Sequence, residues 1–139
     1  MSFELETLLK RLHAAQQRFH AGGSADELGE LLDPDVRWTV PGHNTIAGRY
    51  AGIEEVLRYF ERRRALAADT FRMHVREILT GRRNHIAALT DGTALIRRRS
   101  ERWSTLGLYE FRRERLRACW LLPLDAEQFD RIWSVDVPG

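Results

Sequence analysis

Little in this sequence invites cross-linking or metal chemistry. Cys119 is the single cysteine in 139 residues, which excludes an internal disulfide. It reads as a small buried hydrophobe. The five histidines, His13, His20, His43, His74 and His85, lack metal-ligand spacing and have no cysteine pair beside them. Neither a metal nor a cofactor is therefore expected. Lysine is nearly absent too: Lys10 stands alone, and the remaining positive charge is arginine. The net charge is only +2, so a pI of 9.1 argues weakly for nucleic acid. The runs Arg62-Arg63-Arg64 and Arg97-Arg98-Arg99 read as solvated charge, the first near a helix C-terminus where arginine suits the dipole. No apolar stretch approaches the roughly 18 residues of a membrane span. No basic-then-apolar leader opens the chain, and no phosphate-cradling loop or nucleophile elbow occurs. These absences lead us to expect one cytoplasmic domain over residues 1–139, with no nucleic-acid or membrane partner.

What is present is periodicity. Leu5, Leu8, Leu9, Leu12 and Phe19 recur at helical spacing and predict a helix over 3–19, stopped by Gly22-Gly23. Ser24 and Glu27 predict a capping box on a short second helix, ended by Asp33-Pro34. Val36, Trp38 and Val40 alternate with polar residues as in a half-buried strand. A Pro41-Gly42 turn and a crossing loop lead to Gly52. A third helix then runs to about Ala67, with Ile53, Val56, Leu57 and Phe60 on one face. From Thr70 the period changes to two. Strands are predicted over Phe71–Arg76, from His85 to about Arg97 with a bulge or kink at Asp91-Gly92, over Trp103–Arg112 and over Leu116–Leu122. Asp125 and Gln128 predict a capping box on a last helix. Helices on one face of an antiparallel sheet make an α+β architecture.

Two stretches carry a family resemblance. One is Leu32-Asp33-Pro34-Asp35-Val36 leading into Trp38-Thr39-Val40-Pro41-Gly42 and then Ala47-Gly48-Arg49-Tyr50-Ala51-Gly52-Ile53-Glu54-Glu55-Val56. The other is Tyr109-Glu110-Phe111 before a hairpin, followed by Leu116 and Trp120. Together they resemble the NTF2-like superfamily, in its SnoaL-like polyketide cyclase and ketosteroid isomerase branch. The resemblance implies a cone: a curved antiparallel sheet (the cystatin-like α+β barrel) wraps the third helix and leaves an apolar pocket. It also implies a homodimer through the outer sheet face. The catalytic carboxylates of those relatives do not carry over. Their Asp two residues before the Tyr109 match is Gly107 here, and no carboxylate lies between Asp35 and Glu54.

Strand parity nominates the pocket walls. Trp103, Thr105, Gly107, Tyr109 and Phe111 share one face. Leu116, Ala118, Trp120 and Leu122 share another, and Val36, Trp38 and Val40 a third. Gly107 would widen the space. Trp38, Tyr50, Tyr59, Trp103, Gly107 and Trp120 are the candidate ligand contacts, and Tyr109, His43 and His74 the candidate catalytic groups. His74 points outward with Arg72 and Arg76 in one strand phase and inward in the other. Two functions fit. One is a cofactor-independent isomerisation, cyclisation or dehydration of a small hydrophobic, polyketide- or terpenoid-like molecule. The other is a non-catalytic ligand-binding or assembly module.

Overall fold

A computed structural model describes residues 2–134. Helices α1 (Ser2–His20) and α2 (Asp26–Leu31) lead into strand β1 (Leu32–Val40). Strand β2 (Gly48–Ala51) and helix α3 (Ile53–Leu66) follow. Strands β3 (Arg72–Thr80), β4 (His85–Ile96), β5 (Arg99–Arg112) and β6 (Arg115–Pro123) complete the sheet, and helix α4 (Ala126–Trp133) covers its open end. The sheet order is β2-β1-β6-β5-β4-β3. All neighbours are antiparallel except β1 and β6, which pair in parallel. The sheet is curved and does not close. It wraps α1 and α3, whose apolar stripes supply Leu5, Leu9, Leu12, Val56, Tyr59 and Phe60 to the core. The expected α+β cone is the fold observed.

Several local expectations change. The crossing loop contains β2, a short edge strand paired to β1. Asp33-Pro34 sits inside β1 rather than ending the helix, and the β1–β6 register shifts between Leu32 and Arg37. No capping box forms on α2: Ser24 Oγ accepts the Asp26 N–H instead, and Glu27 pairs with Arg18. The last helix does form its cap, Asp125 accepting from the Gln128 N–H at 3.0 Å.

Two corrections concern the sheet. Strands β4 and β5 pair without interruption from His85↔Glu110 to Ile96↔Arg99, so there is no bulge at Asp91-Gly92. Gly92 serves close approach instead. Trp103 lies directly opposite, and a Cβ on Gly92 would stand 2.4 Å from its indole. Bulges lie elsewhere: at Arg76 in β3, where Val75↔Thr90 is followed by Glu77↔Leu89, and at Arg117 in β6, where Glu110↔Ala118 is followed by Phe111↔Leu116. One extra residue flips the facing of everything beyond it. Leu116 is therefore buried, but past the bulge Cys119 and Leu121 turn inward while Trp120 and Leu122 turn out. Trp120 is 38% exposed and is not a pocket wall.

A candidate ligand-binding interior built around a buried arginine

The space inside the cone lies among aromatic side chains from four elements and one connecting residue. Trp38 comes from β1, Tyr59 from α3, Trp103 and Tyr109 from β5, Phe129 and Trp133 from α4, and Phe71 from just before β3. The rings meet edge to face or tilted, as with Trp103 and Trp133, whose centroids are 5.2 Å apart, and Trp38 and Phe60 at 4.9 Å. This void measures about 450 Å³ with its mouth, but only about 30 Å³ is wide enough for a water molecule. The interior is thus narrow, though not sealed. A larger ligand must push side chains aside. Half-buried Met73, which lines the wall, is the most pliable of them.

Gly107 does not widen this space. The Tyr109 ring leans over it, and a Cβ there would stand 2.7 Å from the Tyr109 hydroxyl and 2.8 Å from its ring. The missing side chain makes room for tyrosine rather than for a ligand.

The polar centre is Arg63. It is the middle residue of an arginine run, yet only 4% exposed. Its position explains this, because Val56, Tyr59, Phe60, Arg63 and Ala67 recur at helical spacing on the buried face of α3. Arg62 faces solvent, and Arg64 stacks on Phe19 from the surface. Arg63 Nε donates to His20 Nε2 at 3.0 Å, one terminal nitrogen donates to the Tyr59 hydroxyl at 2.9 Å, and the other to Gln16 Oε1 at 2.8 Å. Its guanidinium carbon sits 4.3 Å from the centre of the Phe71 ring, a cation–π contact. Gln16 and His20 occupy the inward face of α1.

Both buried histidines are fixed in one tautomer. His20 Nδ1 lies 2.7 Å from the Gln16 carbonyl, and His13 Nδ1 3.0 Å from the Leu9 carbonyl. A carbonyl can only accept, so each Nδ1 carries the proton and each Nε2 is bare. The His13 Nε2 accepts from the Tyr109 hydroxyl at 3.4 Å. Burial and then the Arg63 charge push the His20 pKa down to about 2. Burial likewise lowers His13, lifts Tyr59 to about 12 and raises the Tyr109 hydroxyl and the Cys119 thiol. At neutral pH the interior therefore holds neutral imidazoles, protonated phenols and one fixed positive charge.

Among the described residues, three buried donor groups, all on residues that line this space, have no hydrogen-bond partner: the indole N–H groups of Trp38 and Trp133 and the Thr90 hydroxyl. The Trp38 N–H favours an ionised Tyr59 oxygen but completes no hydrogen bond. Among the described residues, no carboxylate lines the space, and none forms a metal-binding group with histidine or cysteine.

Of the residues nominated from sequence, Trp38, Tyr59, Trp103 and Tyr109 converge on the interior. Tyr50 stays at the rim, stacked on Tyr59 at 4.8 Å, with its hydroxyl given to the Ile46 carbonyl. His74 is exposed on the outer sheet face, across from Asp91. His43 is exposed as well. Its backbone N–H donates to Asp130 on α4, which also accepts from the Asn44 side chain at 2.7 Å. The Pro41-to-Asn44 turn thus clasps the helix that covers the open end. Strand parity found the aromatic walls but missed Arg63, Gln16, His13 and His20. Helical spacing carried that signal: each falls on an apolar stripe, where a polar residue must find an internal partner.

Comparison with known proteins agrees with this geometry. The model of the SnoaL-like domain matches residues 11–119. No functionally curated protein matches the sequence. Among solved structures, Bal32a, from a soil-derived mobile gene cassette, superposes with a TM-score of 0.86 at 22% identity, covering 95% of this chain and 98% of its own. An NTF2-like protein of unknown function from Burkholderia pseudomallei gives 0.80 at 19% identity, covering 97% and 100%. TerC, co-crystallised with polyporic acid, gives 0.77 at 12% identity, covering 93% and 97%.

Proposed function

This chain belongs to the SnoaL-like domain family, and from that premise we propose that it takes a small, flat, hydrophobic molecule into the cone and converts it without a cofactor. The substrate class is polyketide- or terpenoid-like, and the reaction an isomerisation, cyclisation or dehydration. The observation that carries this reading is the set of orphaned donors on an aromatic-walled interior. Buried donors without partners are costly, and an oxygen-bearing ligand would satisfy them. In each of these reactions, negative charge can build on a carbonyl oxygen in the transition state. Preorganised donors stabilise such charge most where water is excluded. TerC, of the same fold, was co-crystallised with polyporic acid, which supports an organic ligand for this architecture.

A panel of planar ketones and quinones, titrated while tryptophan emission is followed, tests the reading. Trp38, Trp103 and Trp133 line the space, so a bound ligand should quench them saturably. Silence from every compound would remove the ligand site. For any compound that is converted, Thr90→Val, which removes one of these unpartnered donors, should lower turnover about 100-fold, the usual loss for one oxyanion donor. His43→Ala should leave it unchanged, because that side chain faces solvent. A non-catalytic binding role is favoured by one observation: no carboxylate among the described residues reaches the interior, and both buried imidazoles are already engaged. Saturable quenching without conversion of any ligand would establish that role.

The same proposal includes a homodimer through the outer sheet face, where Trp120 and Leu122 stand exposed beside half-buried Leu106 and Leu108. Exposed tryptophan at the centre of an interface is a frequent hot spot, with truncation costing about 2 kcal/mol or more. Trp120→Arg should therefore turn a dimer into a monomer in light scattering at micromolar concentration. A wild-type protein that is already monomeric would end this part of the proposal.

A further inference from the structure

We propose that the molecule held in the cone is an organic anion, its charged oxygen seated on Arg63. This rests on the ligand-binding reading above and adds the chemical class of the ligand. A guanidinium has five N–H donors, of which Arg63 spends three, on Gln16, His20 and Tyr59. Two remain. All three acceptors are neutral, and no ion pair among the described residues includes Arg63. A buried charge is ordinarily paired with an opposite charge, because stacking and neutral hydrogen bonds replace only part of its hydration. Arginine cannot shed its proton to escape that cost.

The surroundings match the charge. Thr90 is 5% and Trp133 1% exposed, and each carries an unpartnered donor and lines the same space as Arg63. Among the described residues every unpartnered buried side-chain atom can donate, and two of the three are indole N–H groups that cannot accept. The space therefore suits an accepting oxygen, and the unpaired Arg63 charge selects among acceptors: carboxylate, phenolate and enolate oxygens answer the charge as well as the donors, whereas a neutral carbonyl answers only the donors. The Arg63 field reaches His13, Tyr59, Tyr109 and Cys119, favouring the deprotonated form of each. The space is narrow, so the apolar body of such a ligand must displace wall side chains, of which Met73 is the most pliable.

The test compares benzoate and cinnamate with their neutral amides, by calorimetry and tryptophan quenching on the full chain. Charged hydrogen bonds usually contribute enough for a preference of about tenfold or more, so each acid should bind at least that much tighter than its amide. Arg63→Met should abolish the preference. Thr90→Val is isosteric and removes an unpartnered hydroxyl. It should raise the melting temperature slightly while weakening acid binding several-fold, and the comparison of acid with amide on the wild type decides the anion even if Arg63→Met fails to fold. Equal binding of acid and amide to the wild type would overturn the anion while leaving a ligand site. Absence of binding by the acids, the amides and the neutral panel together would overturn the ligand site itself.

Discussion

Between pH 7 and pH 5 the protein should lose about 2 kcal/mol of stability through His20 alone. An imidazole in the unfolded chain titrates near 6.5, whereas His20 in the fold is held down to about 2. Below pH 6.5 the unfolded state therefore takes up a proton that the folded state refuses. Stability falls as pH falls, and keeps falling until the folded value is reached near pH 2. Burial is the larger cause and the Arg63 charge the next; protonating His20 Nε2 would also set its N–H against the N–H of Arg63 Nε, 3.0 Å away. His13 is shifted the same way, chiefly by burial, and steepens the loss. Asp33 acts in a lower window. Its carboxylate accepts the Asp35 N–H and pairs with Arg112, which lowers its pKa from 3.8, so its contribution disappears only in stronger acid. Urea melts at pH 7, 6 and 5 would measure the loss. His20→Gln, which can still accept from Arg63, should flatten the profile. A wild type equally stable at pH 5 and pH 7 would refute a buried neutral His20.

The second large effect belongs to Gly92. Gly92→Val should destabilise the fold by about 3 kcal/mol, the upper range for overpacking a well-filled core. The new Cβ would stand 2.4–2.6 Å from three atoms of the Trp103 indole. That ring has nowhere to go, being pinned by Trp133 at 5.2 Å and Phe71 at 5.9 Å. On a Trp103→Leu background the same substitution should cost much less, since the obstacle is gone. A double-mutant cycle separates this coupling from a general intolerance of β-branching. Equal costs in the two backgrounds would show that Gly92 is not there for Trp103.

These two residues show what the sequence could and could not disclose. The alternation of Trp103, Thr105, Gly107, Tyr109 and Phe111 was legible because β5 pairs with β4 without interruption. Trp120 was misplaced because a single bulged residue, Arg117, reverses parity, and nothing local in Leu116-Arg117-Ala118 announces it. Gly92 read as a bulge because glycine in a strand has two meanings, and only the cross-strand partner decides between them. Arg63 was hidden by its neighbours: a run of three arginines reads as solvated charge unless each is placed on the helix wheel. The overall cone was legible because its determinants are periodicity and element order. The polar centre was not, because it joins α1 to α3 across more than forty residues of chain.

The pairing of β1 with β6 has a consequence for how the chain is made. Trp38 lies in register with Cys119, so roughly eighty residues separate the two halves of that ladder. A chain emerging from the ribosome can form α1 and the β1–β2 hairpin early, but one edge of β1 stays unpaired until residues 115–123 arrive. Closing so long a loop is the entropic barrier that slows folds rich in distant contacts. Throughout that interval an apolar strand edge remains available for pairing with another chain. Strand β6 therefore both joins the two halves of the sheet and covers the inner edge of β1, leaving β2 and β3 as the edges.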